Sequence, residues 1–190
     1  VGEIEATSGS VEIASKPLMS IPVKRRSKEV GLMHQHFDLI PQLTVRKNIE
    51  AGNSGRWSTF RTLASLLLPI HDKRSEDFAC SLEISDQLDV RTSLLSGGEQ
   101  QRLAIAVAMA NQPPLILADE PTGNLDTKSS KEVIAMLQSL NDDDGKTIVI
   151  VTHDPEVADA AKRIVAFRDG LIVEDRKVNQ NKFAYNEPST

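Results

Sequence analysis

The spacing of apolar residues changes repeatedly along the chain between the pattern of strands and the pattern of helices. Short apolar or alternating segments predict four strands: residues 11–13, 29–33, 115–118 and 147–151. Segments in which apolar residues recur every three or four positions predict three helices: residues 99–110, residues 127–140 and a short stretch after Asp154. Because strands alternate with helices, we expect an α/β fold with a mainly parallel sheet that is covered on both faces.

Turn and cap residues mark several element ends. Two prolines in residues 111–114 stop the preceding helix, because proline has no N–H to donate and clashes with the preceding turn. Asp154 and Pro155 supply an N-cap and a proline at the first helical position. Asp169-Gly170 predicts a tight hairpin turn near the C-terminus. From about Arg176 the chain is polar, and we expect a loose tail.

Residues 44–95 differ in character from the segments around them. They lean toward helix, with Thr44 as a possible N-cap and an apolar set formed by Leu63, Leu66 and Leu67. A polar loop is expected at residues 71–76. This stretch therefore predicts a helical unit that interrupts the alternation of strands and helices.

The composition excludes several classes of protein. The chain carries 22 basic and 27 acidic side chains, a net charge of −5, which argues against a nucleic-acid-binding domain built around a basic surface. Cys80 is the only cysteine, so neither an intrachain disulfide nor a cysteine zinc cluster is possible. The longest apolar run, residues 103–110, is far shorter than the ~18 residues of a spanning helix. We expect a soluble cytoplasmic protein without a signal peptide.

Two carboxylates end the predicted strand at residues 115–118. Asp119 and Glu120 lie where parallel sheets bind ligands, at the carboxyl edge. One carboxylate could reach a Mg²⁺ ion while its neighbour points along the pleat toward an attacking water. The alternative is an acidic pair that only caps the strand and begins a turn.

His153 follows another predicted buried strand. A histidine in Thr152-His153-Asp154 could contact a γ-phosphate and hold the attacking water in line. The alternative is a histidine that only serves the start of the adjacent helix.

The string Leu95-Ser96-Gly97-Gly98-Glu99-Gln100-Gln101-Arg102 opens a predicted helix. A hydroxyl, two backbone amides without side chains and a helix N-terminus together make a concave anion site. An ordinary flexible turn before a helix is the alternative for the Ser-Gly-Gly triplet alone, but the longer string is uncommon.

These motifs, in this order, resemble those of the ABC ATPase family. Residues 95–100 resemble the signature, residues 115–120 Walker B, Asn124-Leu125-Asp126 the D-loop and His153 the switch histidine. The resemblance covers about residues 8–175. It also identifies Gln35 as the Q-loop glutamine, which without the family reads as an ordinary loop amide. The sequences of residues 117–126, 151–157 and 168–170 resemble those of the lipoprotein-release and macrolide-export branch.

The resemblance implies a P-loop NTPase fold with a RecA-like core and the ABC helical subdomain. Residues 1–43 would form the first part of the core, and residues 44–112 the helical subdomain that ends in the signature and its helix. Residues 113–175 would complete the core, with Walker B, the D-loop and the switch histidine, and residues 176–190 would form the polar tail.

The resemblance also implies a function: an ATP-binding and ATP-hydrolysing subunit that powers export or extraction through a separate membrane permease. Two subunits would pair head-to-tail, each ATP lying between one Walker A and the other subunit's signature. The subunit would lie in the cytoplasm at the inner face of the cell membrane, and no nucleic acid is expected as a partner. Residues 35–44 would carry the nucleotide state to the permease.

Each site residue receives a role from the resemblance. Glu120 would polarise the attacking water and His153 would sense the γ-phosphate. The remaining residues would bind ATP, Mg²⁺ or both: Gln35 and Asp119 at the metal, Ser96, Gly97, Gly98 and Glu99 in the signature, and Asp126 as a link between the two sites.

The sequence departs from the family in two places. No Gly-x-x-x-x-Gly-Lys-Ser/Thr string occurs in the 190 residues, so we expect Walker A upstream of Val1, an N-terminally truncated core, and a chain that is inactive alone. Residues 77–92 do not resemble the usual approach to the signature.

Two other functions stay open. A truncated, non-catalytic subunit could lend its signature to an intact partner. An ABC ATPase of DNA maintenance is the other possibility, but no sustained heptad of a long coiled coil separates Gln35 from Leu95.

Overall fold

A computed structural model of the 190-residue chain describes residues 7–13, 15–34, 38–52, 76 and 79–183. The seven strands of this part are β1 (Glu12–Ile13), β2 (Lys16–Pro17), β3 (Val30–Met33), β4 (Leu115–Asp119), β5 (Thr147–Val151), β6 (Arg163–Arg168) and β7 (Leu171–Lys177). The α-helices whose bounds are described are α1 (Val23–Glu29), α2 (Val45–Gly52), α3 (Gly97–Met109), α4 (Thr127–Asp142) and α5 (Pro155–Asp159). Gln35 and the leucines at 63, 66 and 67 lie outside the described residues.

The central sheet is parallel and has the order β3-β4-β5. Its register places Leu32 beside Leu117 and Leu117 beside Val149. The β6–β7 and β1–β2 pairs are antiparallel two-stranded sheets, and β6–β7 turns at Asp169-Gly170 as the sequence predicted. The prediction of an α/β fold with a parallel sheet is therefore confirmed.

One face of the parallel sheet is tightly covered. Met33, Ile116 and Ala118 are buried on it, and α3 comes so close to β3 that a Cβ on Gly31 would lie 2.6 Å from the Ala108 carbonyl oxygen. Only glycine fits there, because real Cβ atoms do not approach backbone oxygen so closely.

The other face of the sheet is partly open in the described part of the chain. Val149 and Val151 of β5 remain 44% and 59% exposed. The sequence predicted a sheet covered on both faces, but in the described part of the chain the second face is only partly covered at β5.

Helix α3 begins two residues earlier than the apolar spacing predicted. Ser96 accepts a hydrogen bond from the Glu99 backbone N–H, and the Glu99 carboxylate accepts from the Ser96 backbone N–H, which makes a capping box. Because these bonds satisfy N–H groups of the first turn, the helix extends through both glycines. Its buried residues, among them Leu103 and Ile105, pack into one core with β4 and α4.

Two predictions about irregular segments were incomplete or wrong. The sequence predicted no element between Pro22 and the strand at residue 29, yet residues of this stretch form α1, and β3 begins at Val30. The tail expected to be loose from Arg176 onward is bonded over residues 176–183, because β7 continues to Lys177 and residues 178–183 are bonded to α4, to the end of α5 and to Lys162. Among the described residues, no helix is long and apolar enough to cross a membrane.

Candidate functional site

Glu120 and His153 meet at the carboxyl ends of β4 and β5. The strands are adjacent and parallel, and the Glu120 backbone N–H donates to the Val151 carbonyl oxygen (2.9 Å). The Glu120 Oε1 atom accepts from the His153 backbone N–H (3.0 Å) and lies 2.6 Å from His153 Nδ1. Thr152 Oγ1 donates to the other carboxylate oxygen at 3.3 Å. The structure therefore brings the two predicted catalytic side chains into direct contact.

The backbone at Glu120 is left-handed, with φ of +46°. A residue with a Cβ adopts this conformation at a cost of roughly 1–2 kcal/mol. Here it turns the chain at the end of β4, and the Gly123 N–H closes the turn on the Glu120 carbonyl oxygen at 3.1 Å. Unfavourable backbone geometry of this kind concentrates at functional sites, and it argues against a role for Glu120 as a mere strand cap.

The contact changes the protonation of the histidine. The hydrogen bond that His153 makes to the Glu120 carboxylate, and the negative charge of that carboxylate, raise the pKa of His153 above the ordinary 6.5, while burial acts in the opposite direction. The Glu120 side chain is only 18% exposed, whereas that of His153 is 87% exposed. Since Nδ1 faces the carboxylate, the proton of a neutral imidazole belongs on Nδ1, and Nε2 has no partner among the described residues.

Asp119 differs from its neighbour. Asp119 ends β4 and is exposed. Its carboxylate has no hydrogen bond or ion pair within the described residues. The predicted partner Gln35 lies outside them. A free carboxylate beside a bound phosphate suits Mg²⁺, which takes one or two carboxylates and keeps several waters. The Asp119 carboxylate at this edge of the sheet is therefore a suitable ligand for Mg²⁺.

The signature residues lie against the start of α4. A Cβ on Gly97 would be 3.6 Å from the Leu125 side chain, and one on Gly98 would be 3.2 Å from Ser129 Oγ. Ser96 Oγ and the Ser96 N–H both donate to the Glu99 carboxylate, at 2.7 and 2.8 Å. The signature thus begins a capped helix, rather than the flexible turn that was its alternative.

Asp126 is the N-cap of α4. Its Oδ1 accepts from the backbone N–H groups of Lys128 and Ser129, and its Oδ2 accepts from Ser129 Oγ (2.7 Å). The side-chain hydrogen bond from Ser129, followed by the backbone bonds, lowers the pKa of the Asp126 carboxyl below its usual value. The cap fixes the D-loop beside Gly97, and its hydrogen-bond partner Ser129 lies beside Gly98.

A cleft of about 300 Å³ is lined by Glu120 and His153 together with Leu125 and Lys131. Because Leu125 also faces Gly97, the D-loop lies between the Glu120–His153 pair and the signature.

Asn48 is a site-related residue that the sequence did not single out. Its buried amide donates to the carbonyl oxygens of Ile40 and Thr44 and to Thr92 Oγ1, and its Oδ1 accepts from the Ile40 N–H. The available signal was a polar residue on the apolar face that Val45 and Ile49 give to α2.

The sequence analysis also assigned no role to Arg102. Its guanidinium binds Glu83 (2.7 Å) and Glu132 (2.6 Å), and so joins α3 both to α4 and to the segment before the signature. It ends the signature string, but its carboxylate partners are distant in sequence and no local pattern indicates them.

Comparison with protein families gives one match. The family model described as ABC transporter matches residues 1–123. A macrolide export ATP-binding/permease protein of Syntrophobacter fumaroxidans is 41% identical over 152 residues, which are 77% of this chain and 20% of that protein. An ABC transporter ATP-binding protein of Methanocaldococcus jannaschii is 39% identical over 156 residues, 82% of this chain and 64% of that protein. The chain thus spans less than two thirds of these relatives.

Solved structures agree with the sequence relatives. The dimeric post-hydrolysis structure of the same archaeal cassette, bound to ADP and Pi, superposes with a TM-score of 0.74 and 34% identity over 92% of this chain and 75% of that one. Another dimeric structure of the cassette gives a TM-score of 0.75 at the same identity and coverage. The chain belongs to the ABC transporter family, within a nucleotide-binding domain of the macrolide-export and lipoprotein-release branch.

Proposed function

We propose that this chain hydrolyses ATP with Mg²⁺ in a head-to-tail dimer and drives export or extraction through a separate membrane subunit. The observation that carries the proposal is the 2.6 Å contact between the Glu120 carboxylate and His153 Nδ1 at the ends of adjacent parallel strands. Such edges are where open α/β sheets place their ligands. The dimeric state of the solved cassettes supports the pairing.

Glu120 takes the role of general base. Its carboxylate is held by donors from His153 and Thr152, so it is oriented before the nucleotide binds. It accepts a proton from the water that attacks the γ-phosphorus, while His153 contacts the γ-phosphate. Asp119, with Gln35, holds Mg²⁺, which when bound neutralises charge on the phosphate oxygens.

The signature serves the nucleotide of the partner subunit. The N–H groups of Gly97 and Gly98 lie in the first turn of α3, where a helix leaves its amides free for an anion. Glu99 acts through Ser96, because its carboxylate accepts from that hydroxyl. Asp126 links the two sites by fixing the D-loop against the signature.

The names of the relatives support a membrane partner for this chain. Proteins named for macrolide export contain both an ATP-binding part and a permease part. We infer that this chain works at the cytoplasmic face of the membrane with a permease of that kind, and that residues 35–44 transmit the nucleotide state. The net charge of −5 does not suit a nucleic-acid partner.

A second candidate function rests on the signature alone. The 190 residues hold no Gly-x-x-x-x-Gly-Lys-Ser/Thr string, whereas the signature helix is fully capped. A chain of this kind could lend its signature to an intact subunit without hydrolysing ATP at its own site.

The test compares Glu120→Gln with Glu174→Gln, a matched change in the exposed hairpin strand β7. In the protein as its gene encodes it, assembled with its membrane subunit, Glu120→Gln should retain ATP binding and lose about 10²–10⁴-fold in turnover. Glu174→Gln should hydrolyse ATP normally. Hydrolysis by Glu120→Gln at the rate of the control excludes Glu120 as the base, and an inactive parent protein favours the second candidate.

A further inference from the structure

The segment that follows β7 is bonded along the end of α5. The Val178 N–H donates to the Lys162 carbonyl oxygen (3.1 Å), and the Asn181 N–H donates to the Asp159 carbonyl oxygen (2.9 Å). Gln180 Nε2 reaches the Ala160 carbonyl oxygen at 2.8 Å. We name residues 178–183 the C-terminal strap. The donors of Asn181 and Gln180 satisfy the Asp159 and Ala160 carbonyl groups, which the end of α5 leaves without helical partners. The bond to Lys162 joins the strap to the residue before β6.

Gln138 of α4 joins the strap to α5. Its side chain is buried, and its Nε2 donates to the carbonyl oxygens of Ala160 (2.9 Å) and Asn181 (2.7 Å). Its Oε1 accepts from the Phe183 N–H at 3.0 Å. An amide on the buried face of a helix is costly without partners. Gln138 therefore holds one arrangement of the strap and the end of α5.

The aromatic end of the strap reaches the candidate site. Phe183 packs against the hydrophobic core and lines the same cleft as Val157, Ile134, Glu120 and His153. Lys182 adds an ion pair with Asp142 of α4. The strap is thus fixed by polar bonds along its length and by an apolar side chain inside the cleft.

Helix α5 connects the strap to His153. It has 5 residues, far below the ~12–15 that make an isolated helix even marginally stable. Its first turn is capped by Asp154, whose Oδ1 accepts from the Glu156 N–H (2.8 Å), and its last carbonyl groups are held by the strap and Gln138. Because His153 immediately precedes the cap, a displacement of α5 would also displace the imidazole.

We propose that the C-terminal strap positions His153 against Glu120, with Gln138 and Phe183 as the positioning residues. The catalytic meaning of this contact rests on the proposed function, but the contact itself and its dependence on the strap do not. Neither residue touches the reacting atoms; both act through α5.

The test follows the histidine ring signals of the 190-residue chain by NMR as the pH is changed. Phe183→Ala and Gln138→Leu should each move the midpoint of His153 down toward 6.5, its value without a partner. Phe167→Ala, a matched removal of an exposed phenylalanine on β6, should leave the midpoint unchanged. The charged groups around His153 are the same in all three variants: Glu120 and Asp154, which act on its pKa, and Glu156 and Lys131, which line the same cleft.

Amide hydrogen exchange supplies the result that decides the proposal. If residues 178–183 lose protection in a folded variant while the His153 midpoint stays at its parental value, the strap does not position the histidine. Should Gln138→Leu fail to fold, Asn181→Pro removes one strap N–H donor and leaves Gln138 intact.

Steady-state kinetics on the assembled transporter give a second readout. Phe183→Ala should lower kcat by about 10- to 100-fold with KM little changed, since misplacement of about 1 Å costs that much. The NMR measurement needs no ATP. A strap that does not position His153 is therefore detected by NMR, whereas a wrong ATPase proposal is detected only in the kinetics. A parental kcat in Phe183→Ala, with strap protection lost, overturns the proposal.

Discussion

The Asn48 amide donates to Thr92 Oγ1 at 2.9 Å, between residues that are 44 positions apart in the sequence. Both side chains are buried. Around them, the Thr92 N–H donates to the Leu43 carbonyl oxygen (2.9 Å) and the Ser93 N–H to that of Pro41 (3.1 Å). Pro41 and Leu43 belong to the segment that is expected to carry the nucleotide state to the membrane subunit. This part of the segment is therefore hydrogen-bonded to the residues that precede the signature.

This contact predicts a strong and coupled effect on stability. Asn48→Ala leaves the buried N–H and carbonyl groups of its neighbours unpaired and should cost about 2–4 kcal/mol, since each such group costs about 1–3. Thr92→Val removes one hydroxyl and should cost about 1 kcal/mol. In urea unfolding, the double variant should lose less than the sum, with a coupling of about 0.5 kcal/mol or more. Strict additivity, with Thr147→Val as the exposed control, contradicts the link.

How much of this structure could be predicted from the sequence depends on whether the residues that contact each other are close together in the chain. Residues 147–151 were predicted as a strand and form β5, because a β-branched run in a fold of this size has few other solutions. Roles for Glu120 and His153 followed from the family, but their contact depends on the register of β4 and β5. No local pattern contains that register.

The strap shows the opposite case. Residues 178–183 are mostly polar and were predicted to be loose, yet they are bonded mostly through main-chain groups of Asp159, Ala160 and Lys162. Main-chain acceptors have no side-chain identity, so they leave no signal in the sequence. Gln138 was the one available sign, a polar residue among the apolar positions of α4.

The raised pKa of His153 predicts a dependence of stability on pH. Because the folded protein binds this proton more tightly than the unfolded chain, the contribution to folding is complete below pH 6.5 and is lost as the pH rises through the raised value. Urea unfolding of the parent and Glu120→Gln should therefore show a difference in midpoint at pH 5.5 that shrinks by pH 8.5. A difference that stays constant across this range would falsify the assignment of the shift to Glu120.

Gly97→Asp separates recognition of the nucleotide from maintenance of the fold. A Cβ here makes only an ordinary 3.6 Å contact with Leu125, and a carboxylate in the first turn of a helix is mildly stabilising. The variant should therefore unfold at or above the parental urea concentration but fail to pair with ATP, because its charge repels the phosphate. Ser96→Arg is a poorer test, since it also removes the capping box at a cost of about 1 kcal/mol.

The measurement for Gly97 is light scattering with ATP, on the protein as its gene encodes it and in the Glu120→Gln background. Gly97→Ala is the uncharged control, and it should pair more strongly than Gly97→Asp. Equal pairing by the parent and Gly97→Asp contradicts the signature assignment.

The last prediction concerns the 190-residue chain by itself, which should bind MgATP weakly and not hydrolyse it. The cleft is lined by one lysine, Lys131, and by the three carboxylates of Glu120, Asp154 and Glu156, so the local charge disfavours a triphosphate. A Gly-x-x-x-x-Gly-Lys-Ser/Thr loop supplies backbone amides and a lysine to the phosphates in this family, and charged hydrogen bonds are worth about 1.5–3 kcal/mol each.

Without even two of those bonds, affinity should fall by about 3–6 kcal/mol, which is roughly a hundred- to ten-thousand-fold. Calorimetric titration of the 190-residue chain with MgATP should therefore show no saturation at micromolar nucleotide. The control is a form of the protein extended upstream into such a loop, which should bind at micromolar concentration. Micromolar binding by the shorter chain would mean that its phosphates are held by residues other than those assigned at the β4 and β5 edge.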